Sequence, residues 1–359
     1  FISLFVFVGL IVKAQVCLKP TTYNSGTPYF TSADFNNDGK LDLAIGHTDS
    51  VRVMLGDGLG GFTWGSLKIT FFTSYIGNMI SADLNKDGNA DIAFAYGTSN
   101  VEVLLGTGTG TFGNPFLLPV GNNPWSLVSN DFNADGNPDI AVTNGGSSTI
   151  SVLLGDGLGN FSAHVDFNSG LNQSELIAQD FNGDGKVDLA VGTNIGNGQG
   201  GKIALLLGDG LGGFGSPSTF VTDGNDPYSL CVADFNSDGF FDIATANSNS
   251  NNVTVLLGTA GGSFSTAVSY FLNLQCISIL ARDFDGDGKL DLAVGNENSN
   301  YVSVLLGNGS GSFGVATNFP DAYVPQKILS EDFNSDGKPD LAVGNQQGNN
   351  FMIFLNVLA

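Results

Sequence analysis

Basic residues are scarce: 12 lysines and arginines stand against 34 aspartates and glutamates, for a formal net charge of -22. With no basic stripe to release phosphate counterions, nucleic-acid binding through the phosphates is not expected. Cysteine is nearly absent. Cys17, Cys231 and Cys276 cannot all pair internally, and neither their spacing nor their density resembles a disulfide framework. Cys231 and Cys276 lie in apolar runs and read as buried small hydrophobes. The only histidines, His47 and His164, lie far apart with no clustered acid and nucleophile, so acid–base catalysis has no evident agent. No stretch has a helical period. No apolar run reaches the roughly 20 residues that span a bilayer. The longest, "FISLFVFVGLIV", precedes Lys13-Ala14-Gln15 and has the length of a secretory h-region. Residues 1–14 are therefore expected to be a signal peptide truncated at its start, and 15–359 the remaining domain. A lipoprotein reading of Cys17 is disfavoured by Val16, where a small residue would stand.

What is abundant is glycine (51) and phenylalanine (28), set among Asn, Asp, Ser and Thr and short apolar runs. That mixture suggests many short strands joined by tight turns, and its apolar content argues against disorder. One pattern recurs seven times: "DFNNDGKLD" (34–42), "DLNKDGNAD" (83–91), "DFNADGNPD" (131–139), "DFNGDGKVD" (180–188), "DFNSDGFFD" (234–242), "DFDGDGKLD" (283–291) and "DFNSDGKPD" (332–340). The spacing is 48 or 49 residues, except for one interval of 54. Such a period means one supersecondary unit repeated.

Each period reads as four short strands: an apolar run into the Asp loop, a second run out of it, a third such as "NVTVLLG", then a glycine turn and a fourth. Seven four-stranded antiparallel units predict an all-β, seven-bladed propeller, with an open β-solenoid as the competing architecture. The last unit stops after its third run, "NFMIFLN", while "CLKPTTYN" (17–24) precedes the first unit like an orphan fourth strand. Residues 17–24 are thus expected to complete the seventh blade and close the ring. The surplus in the fourth unit falls in "TNIGNGQGG" (193–201), a loop between its second and third strands.

The repeat "DFNxDGxxDLAVG…VLLGDGxGxF" resembles the FG-GAP or VCBS repeats of integrin α-subunit propellers and of secreted bacterial and fungal propellers, including a fungal lectin group. The resemblance covers nearly the whole chain after the leader. It implies the fold firmly and the function weakly, since one fold hosts many activities.

In the first loop Asp34, Asn36 and Asp38 place oxygen side chains at alternate positions, Gly39 permits the bend, the Lys40 carbonyl adds an oxygen, and Asp42 closes the shell. Hard oxygen donors without His or Cys favour Ca²⁺ over zinc or copper. The same positions are Asp83, Asn85, Asp87, Asn89 and Asp91; Asp131, Asn133, Asp135, Asn137 and Asp139; Asp180, Asn182, Asp184, Lys186 and Asp188. They continue as Asp234, Asn236, Asp238, Phe240 and Asp242; Asp283, Asp285, Asp287, Lys289 and Asp291; Asp332, Asn334, Asp336, Lys338 and Asp340. An EF-hand is excluded, because Ile45 stands where its twelfth-position glutamate would be and the loop leads into a strand. The loops hold 22 of the 34 acidic residues, leaving 12 elsewhere to balance the 12 basic ones. Up to seven Ca²⁺ ions would relieve repulsion among these carboxylates. Solvated Asp-Gly turns without an ion are the plainer alternative.

Glycine turns such as "GDGLGGF" (56–62) superficially suggest a nucleotide loop, but no helix and no Gly-Lys-Ser/Thr follows. They read as hairpin turns whose Phe packs between blades. On the opposite face, the loops before the first strands carry Tyr29, Trp125, Tyr228 and Tyr323, beside polar loops such as "NSNSNN". Rings beside amides suit carbohydrate or protein recognition, or else the rings plug the central channel. The alternatives are a purely structural module of a larger surface protein, or a calcium-dependent polysaccharide lyase or hydrolase, which would need a basic residue in a cleft, for which Lys327 and Arg282 are the nearest candidates. The expectation is a secreted or cell-surface, monomeric, non-catalytic recognition or adhesion module with an extracellular carbohydrate or protein partner, and no membrane insertion once the leader is removed.

Overall fold

The computed structural model describes residues 16–24, 29–46, 50–70 (66–70 by backbone only), 76–170, 173–194, 200–320, 322–348 and 350–357. The leader expected at 1–14 and His47 lie outside these residues. Seven four-stranded antiparallel sheets follow one another along the chain. Blade 3 is representative, with strands Pro124–Asn130, Asp139–Asn144, Thr149–Leu153 and Val165–Asn168 paired in sequence order. The Asp loop joins the first two strands and the glycine turn the last two, so both lie at one end of the blade. Connections between blades, and between second and third strands, lie at the other.

Burial explains the sequence pattern. The second strand sits inside its sheet and between neighbouring blades, so Asp139–Asn144 is buried along its whole length, with the apolar run Ile140–Val142 at its centre. The outermost strand Val165–Asn168 is largely exposed. The core is seven separate clusters, each shared by adjacent blades. Ile150 and Val152 of blade 3, for example, meet Leu189 and Val191 of blade 4. The phenylalanine at the second position of a loop then packs edge-to-face on the phenylalanine ending the next blade's glycine turn. Phe132–Phe214 and Phe35–Phe112 have centroids 5.7 Å apart, and Phe235–Phe313 5.4 Å. Burying each such ring stabilises by roughly 1.5–3 kcal/mol.

The ring closes as the sequence predicts. Leu18–Asn24 pairs with Asn350–Asn356, adding the outer strand to blade 7. Tyr23 stacks on Phe351 at 5.0 Å and its hydroxyl donates to the Gly60 carbonyl of blade 1 at 3.1 Å, so this strand also bridges the last blade to the first. The blade 4 extension falls between Asp188–Asn194 and Gly201–Leu206, with 195–199 outside the described residues.

The core also buries a glutamate. Glu102, in the third strand of blade 2 opposite Phe94, is 3% exposed, and burial pushes its carboxyl from 4.5 up to about 7. The folded state therefore holds a proton that the unfolded chain releases between about pH 4.5 and 7, and stability falls as pH rises through that window. Glu102→Gln is expected to raise unfolding stability at pH 8 by on the order of 2 kcal/mol and to change little at pH 4.5. Urea melts at both pH values check this, and equal gains at both would refute the assignment.

Candidate functional site

The Asp loops share one geometry. In blade 3 the Asp131 carboxylate accepts the Asp135 N–H through Oδ1 (3.1 Å) and the Gly136 N–H through Oδ2 (2.8 Å). Asn133 Oδ1 accepts the Asp135 N–H at 3.0 Å, and Asp135 Oδ1 the Asn137 N–H at 2.8 Å. The loop bends left-handed at its fourth and sixth positions, Ala134 (φ 57°) and Gly136 (φ 82°). A Cβ on Gly136 would meet nothing within 4 Å, so the dihedral and not space selects glycine there. The left-handed fourth position also holds Asn37, Lys86 and Ser237, residue types too varied to signal it in sequence.

The first, third and fifth side chains thus converge. In blade 6 the ligand atoms of Asp283, Asp285 and Asp287 all lie within 4.8 Å of one another. The donor set fits a hard divalent cation. Each oxygen that accepts one N–H keeps a second lone pair, and all donors are oxygen. Lys289 Nζ donates to Asp287 Oδ2 at 2.6 Å, one source of positive charge against this cluster.

The ninth aspartate has a further task that the sequence did not reveal. Asp139 is 0% exposed; its Oδ2 accepts the Phe132 N–H and its Oδ1 the Gly155 N–H, both at 2.8 Å. Asp42, Asp91, Asp188, Asp242, Asp291 and Asp340 do the same, the last with Asn356 in place of glycine. Each ties its loop to the end of the third strand. A Cβ on Gly155 would lie 2.2 Å from the Pro138 carbonyl oxygen, which explains the glycine after "VLL". Burial pushes Asp42, Asp91, Asp242, Asp291 and Asp340 up to about 6, against the lowering effect of the two N–H donors.

At the opposite end, every blade contributes to the mouth of the central channel. A recess of about 30 Å³ is lined by Tyr29, Asn78, Trp125, Glu175, Tyr228, Ser278 and Lys327, among others. Tyr29 meets Trp125 edge-to-face at 6.1 Å, and Trp125 meets Tyr228 at 6.3 Å. Three of the four expected aromatics therefore come together and narrow the channel. Tyr323 stands apart, 53% exposed. Glu175 and Lys327, 152 residues apart in sequence, form an ion pair at 3.1 Å, each side chain roughly four-fifths buried. A β-bulge in the first strand of blades 2 to 7 shapes this rim. Bulges re-aim side chains, here those at Trp125, Glu175 and Gln326. Arg282 lies at the Asp-loop end of its strand, donating to the Ala281 carbonyl at 3.2 Å, and does not join the mouth.

His164 has neighbours the sequence did not suggest. Its Nδ1 lies 2.9 Å from Asp166 Oδ1 and 3.4 Å from Ser151 Oγ. A catalytic triad needs serine and acid on opposite ring nitrogens. Here both approach the same one, Ser151 is 0% exposed, and its hydroxyl donates to Asp166 at 2.6 Å. Ser303–Asn318 occupies the corresponding place in blade 6, so the cluster is a variant of a structural pair.

The buried aspartate makes a clear prediction. Asp139→Ala leaves the Phe132 and Gly155 N–H groups unpaired and should cost about 2–5 kcal/mol. Chemical denaturation measures it, and a loss below about 1 kcal/mol would show that the loop does not depend on this staple.

The comparisons with known proteins agree with this architecture. An FG-GAP-like repeat model matches residues 34–94, 83–142, 131–191, 180–245, 234–294 and 283–343. No curated protein sequence matches. The chain resembles BBS1N as crystallised in complex with ARL6DN, at 14% identity over 96% of this chain and 98% of that one, with a TM-score of 0.65. It also resembles a catalytically inactive virginiamycin B lyase from Staphylococcus aureus with quinupristin, at 13% identity over 96% and 100%, with a TM-score of 0.61. At these identities the likeness is one of fold. FG-GAP propellers are generally non-catalytic recognition modules. The repeats run from residue 34 to 343 and the ring closes on the strand before them, so the chain belongs to the FG-GAP-like repeat family.

Proposed function

We propose that this protein is a secreted, calcium-stabilised propeller acting as an extracellular recognition or adhesion module. It binds carbohydrate or protein on the face opposite the Asp loops. The observation that carries the reading is the contrast between the ends of the blades. One end repeats a single oxygen-lined loop seven times, while the other differs from blade to blade and gathers Tyr29, Trp125 and Tyr228 around one recess. Repetition suits a structural ion, and divergence suits a ligand.

In each loop the first, third and fifth side chains, the seventh carbonyl and the ninth aspartate would hold Ca²⁺, the ninth also fastening the loop to the third strand. The ion would supply positive charge where carboxylates otherwise repel one another. Affinities of about 10⁻⁴ to 10⁻³ M suffice outside a cell. The apolar run at 1–12 accords with export.

Metal content by mass spectrometry, followed by melting with and without EDTA, tests the calcium part. The expected result is a stoichiometry approaching seven and a large loss of stability on chelation. Metal-free material that melts identically with EDTA would overturn it.

A further inference from the structure

The Glu175–Lys327 pair breaks the internal repeat at one register position. In blades 3, 5 and 6 that position is Ser126, Ser229 and Ser278. Each hydroxyl accepts the N–H of the next blade's first strand, from Leu176, Ile279 and Ile328, at 3.1 Å. Blade 4 places Glu175 there. Its Oε2 takes over the same task by accepting the Leu230 N–H at 3.0 Å, and it also accepts the Ser229 hydroxyl. Blade 7 places Lys327 there, and its ammonium reaches the remaining Glu175 oxygen across the channel. Packing does not demand this exchange, because serine satisfies the same backbone in three other blades.

The pair leaves hydrogen-bonding capacity at the rim. An ammonium has three protons, and among the described residues Lys327 Nζ has Glu175 as its one hydrogen-bond acceptor. Glu175 Oε1 keeps a lone pair beyond the one Lys327 occupies. Asn78, at the equivalent position in blade 2, spends its Oδ1 on the Met79 N–H at 3.0 Å and retains its amide protons. Adjacent donor and acceptor atoms of this kind match two neighbouring hydroxyls, one accepting from Lys327 and one donating to Glu175. Because the charges cancel locally, neither an anion nor a cation gains from the site, and a chain of net charge -22 disfavours anions further. The recess, about 30 Å³, admits a hydroxyl or hydroxymethyl group but not a ring, which would lie across Tyr29, Trp125 and Tyr228. Exposed large apolar side chains among the described residues lie mainly elsewhere, at glycine-turn tips such as Leu59, Leu158 and Leu211 and on outer strands such as Val165 and Val268.

We propose that Glu175 and Lys327 form a hydroxyl-binding subsite that seats the edge of a neutral saccharide at the channel mouth. This rests on the reading that this face recognises a ligand. The test uses the full chain with calcium, probed by calorimetry with neutral gluco-, manno- and galacto-oligosaccharides and with galacturonate oligomers. The variant Glu175→Ser/Lys327→Ser restores the serine of the other blades and should keep the fold, checked by circular dichroism and melting. Lys327→Gln, which removes only the ammonium, is the second variant. At least one neutral probe should bind, with affinity reduced tenfold or more in both variants, and galacturonate should bind more weakly. Neutral-sugar binding untouched by both variants overturns the subsite while leaving recognition by this protein intact. Failure of every neutral sugar, or binding confined to galacturonate or to a protein ligand, overturns the proposal itself.

Discussion

A carboxylate with no access to water holds each blade in shape. The ninth aspartate of every loop is fully buried and accepts two backbone N–H groups, one from the loop's second residue and one from the end of the third strand. Burying a charge is costly unless it is hydrogen-bonded, and here each oxygen has its donor. The same contact turns a flexible Asp-Gly hairpin into a fixed one. The first, third and fifth side chains then point inward because the loop that carries them cannot rearrange, so any ion meets a preformed set of oxygens.

From that staple the ring is assembled by local contacts repeated around it. The loop phenylalanine is positioned beside the stapled N–H and meets the next blade's turn phenylalanine. The turn answers with a backbone bond, as from Gly212 N–H to the Phe132 carbonyl at 3.0 Å. On the channel side a serine hydroxyl caps the next strand. Each blade thus depends on its neighbours, as in other repeat architectures. The closing strand Leu18–Asn24 completes the circle by touching both blade 7 and blade 1. With every interface satisfied, function is free to vary in the loops at the other end, where the blades differ most.

The repeat, the number of blades, the turn-phenylalanine packing and the closing strand were all legible in the amino-acid pattern, because each depends on residues close in sequence or on an exact recurrence. The oxygen-bearing positions of the loops were legible for the same reason. The double task of Asp139 and its equivalents was not. The letters show oxygen at the ninth position, but only the folded positions of the Phe132 and Gly155 N–H groups show that both oxygens also accept backbone protons. Likewise Tyr323 shares its loop context with Tyr29, Trp125 and Tyr228, yet lies apart from the recess they line.

By itself, then, the sequence determined a seven-unit all-β ring with an acidic, oxygen-lined loop in each unit, since strand period, glycine placement and repeat length are local properties of the chain. Only the tertiary structure decided what meets across the ring. Glu175 and Lys327 are 152 residues apart, and their contact exists because closing the circle brings the first strands of blades 4 and 7 to opposite sides of one narrow channel. No local pattern encodes a distance across a circle; it follows from the number of blades and the width of each interface.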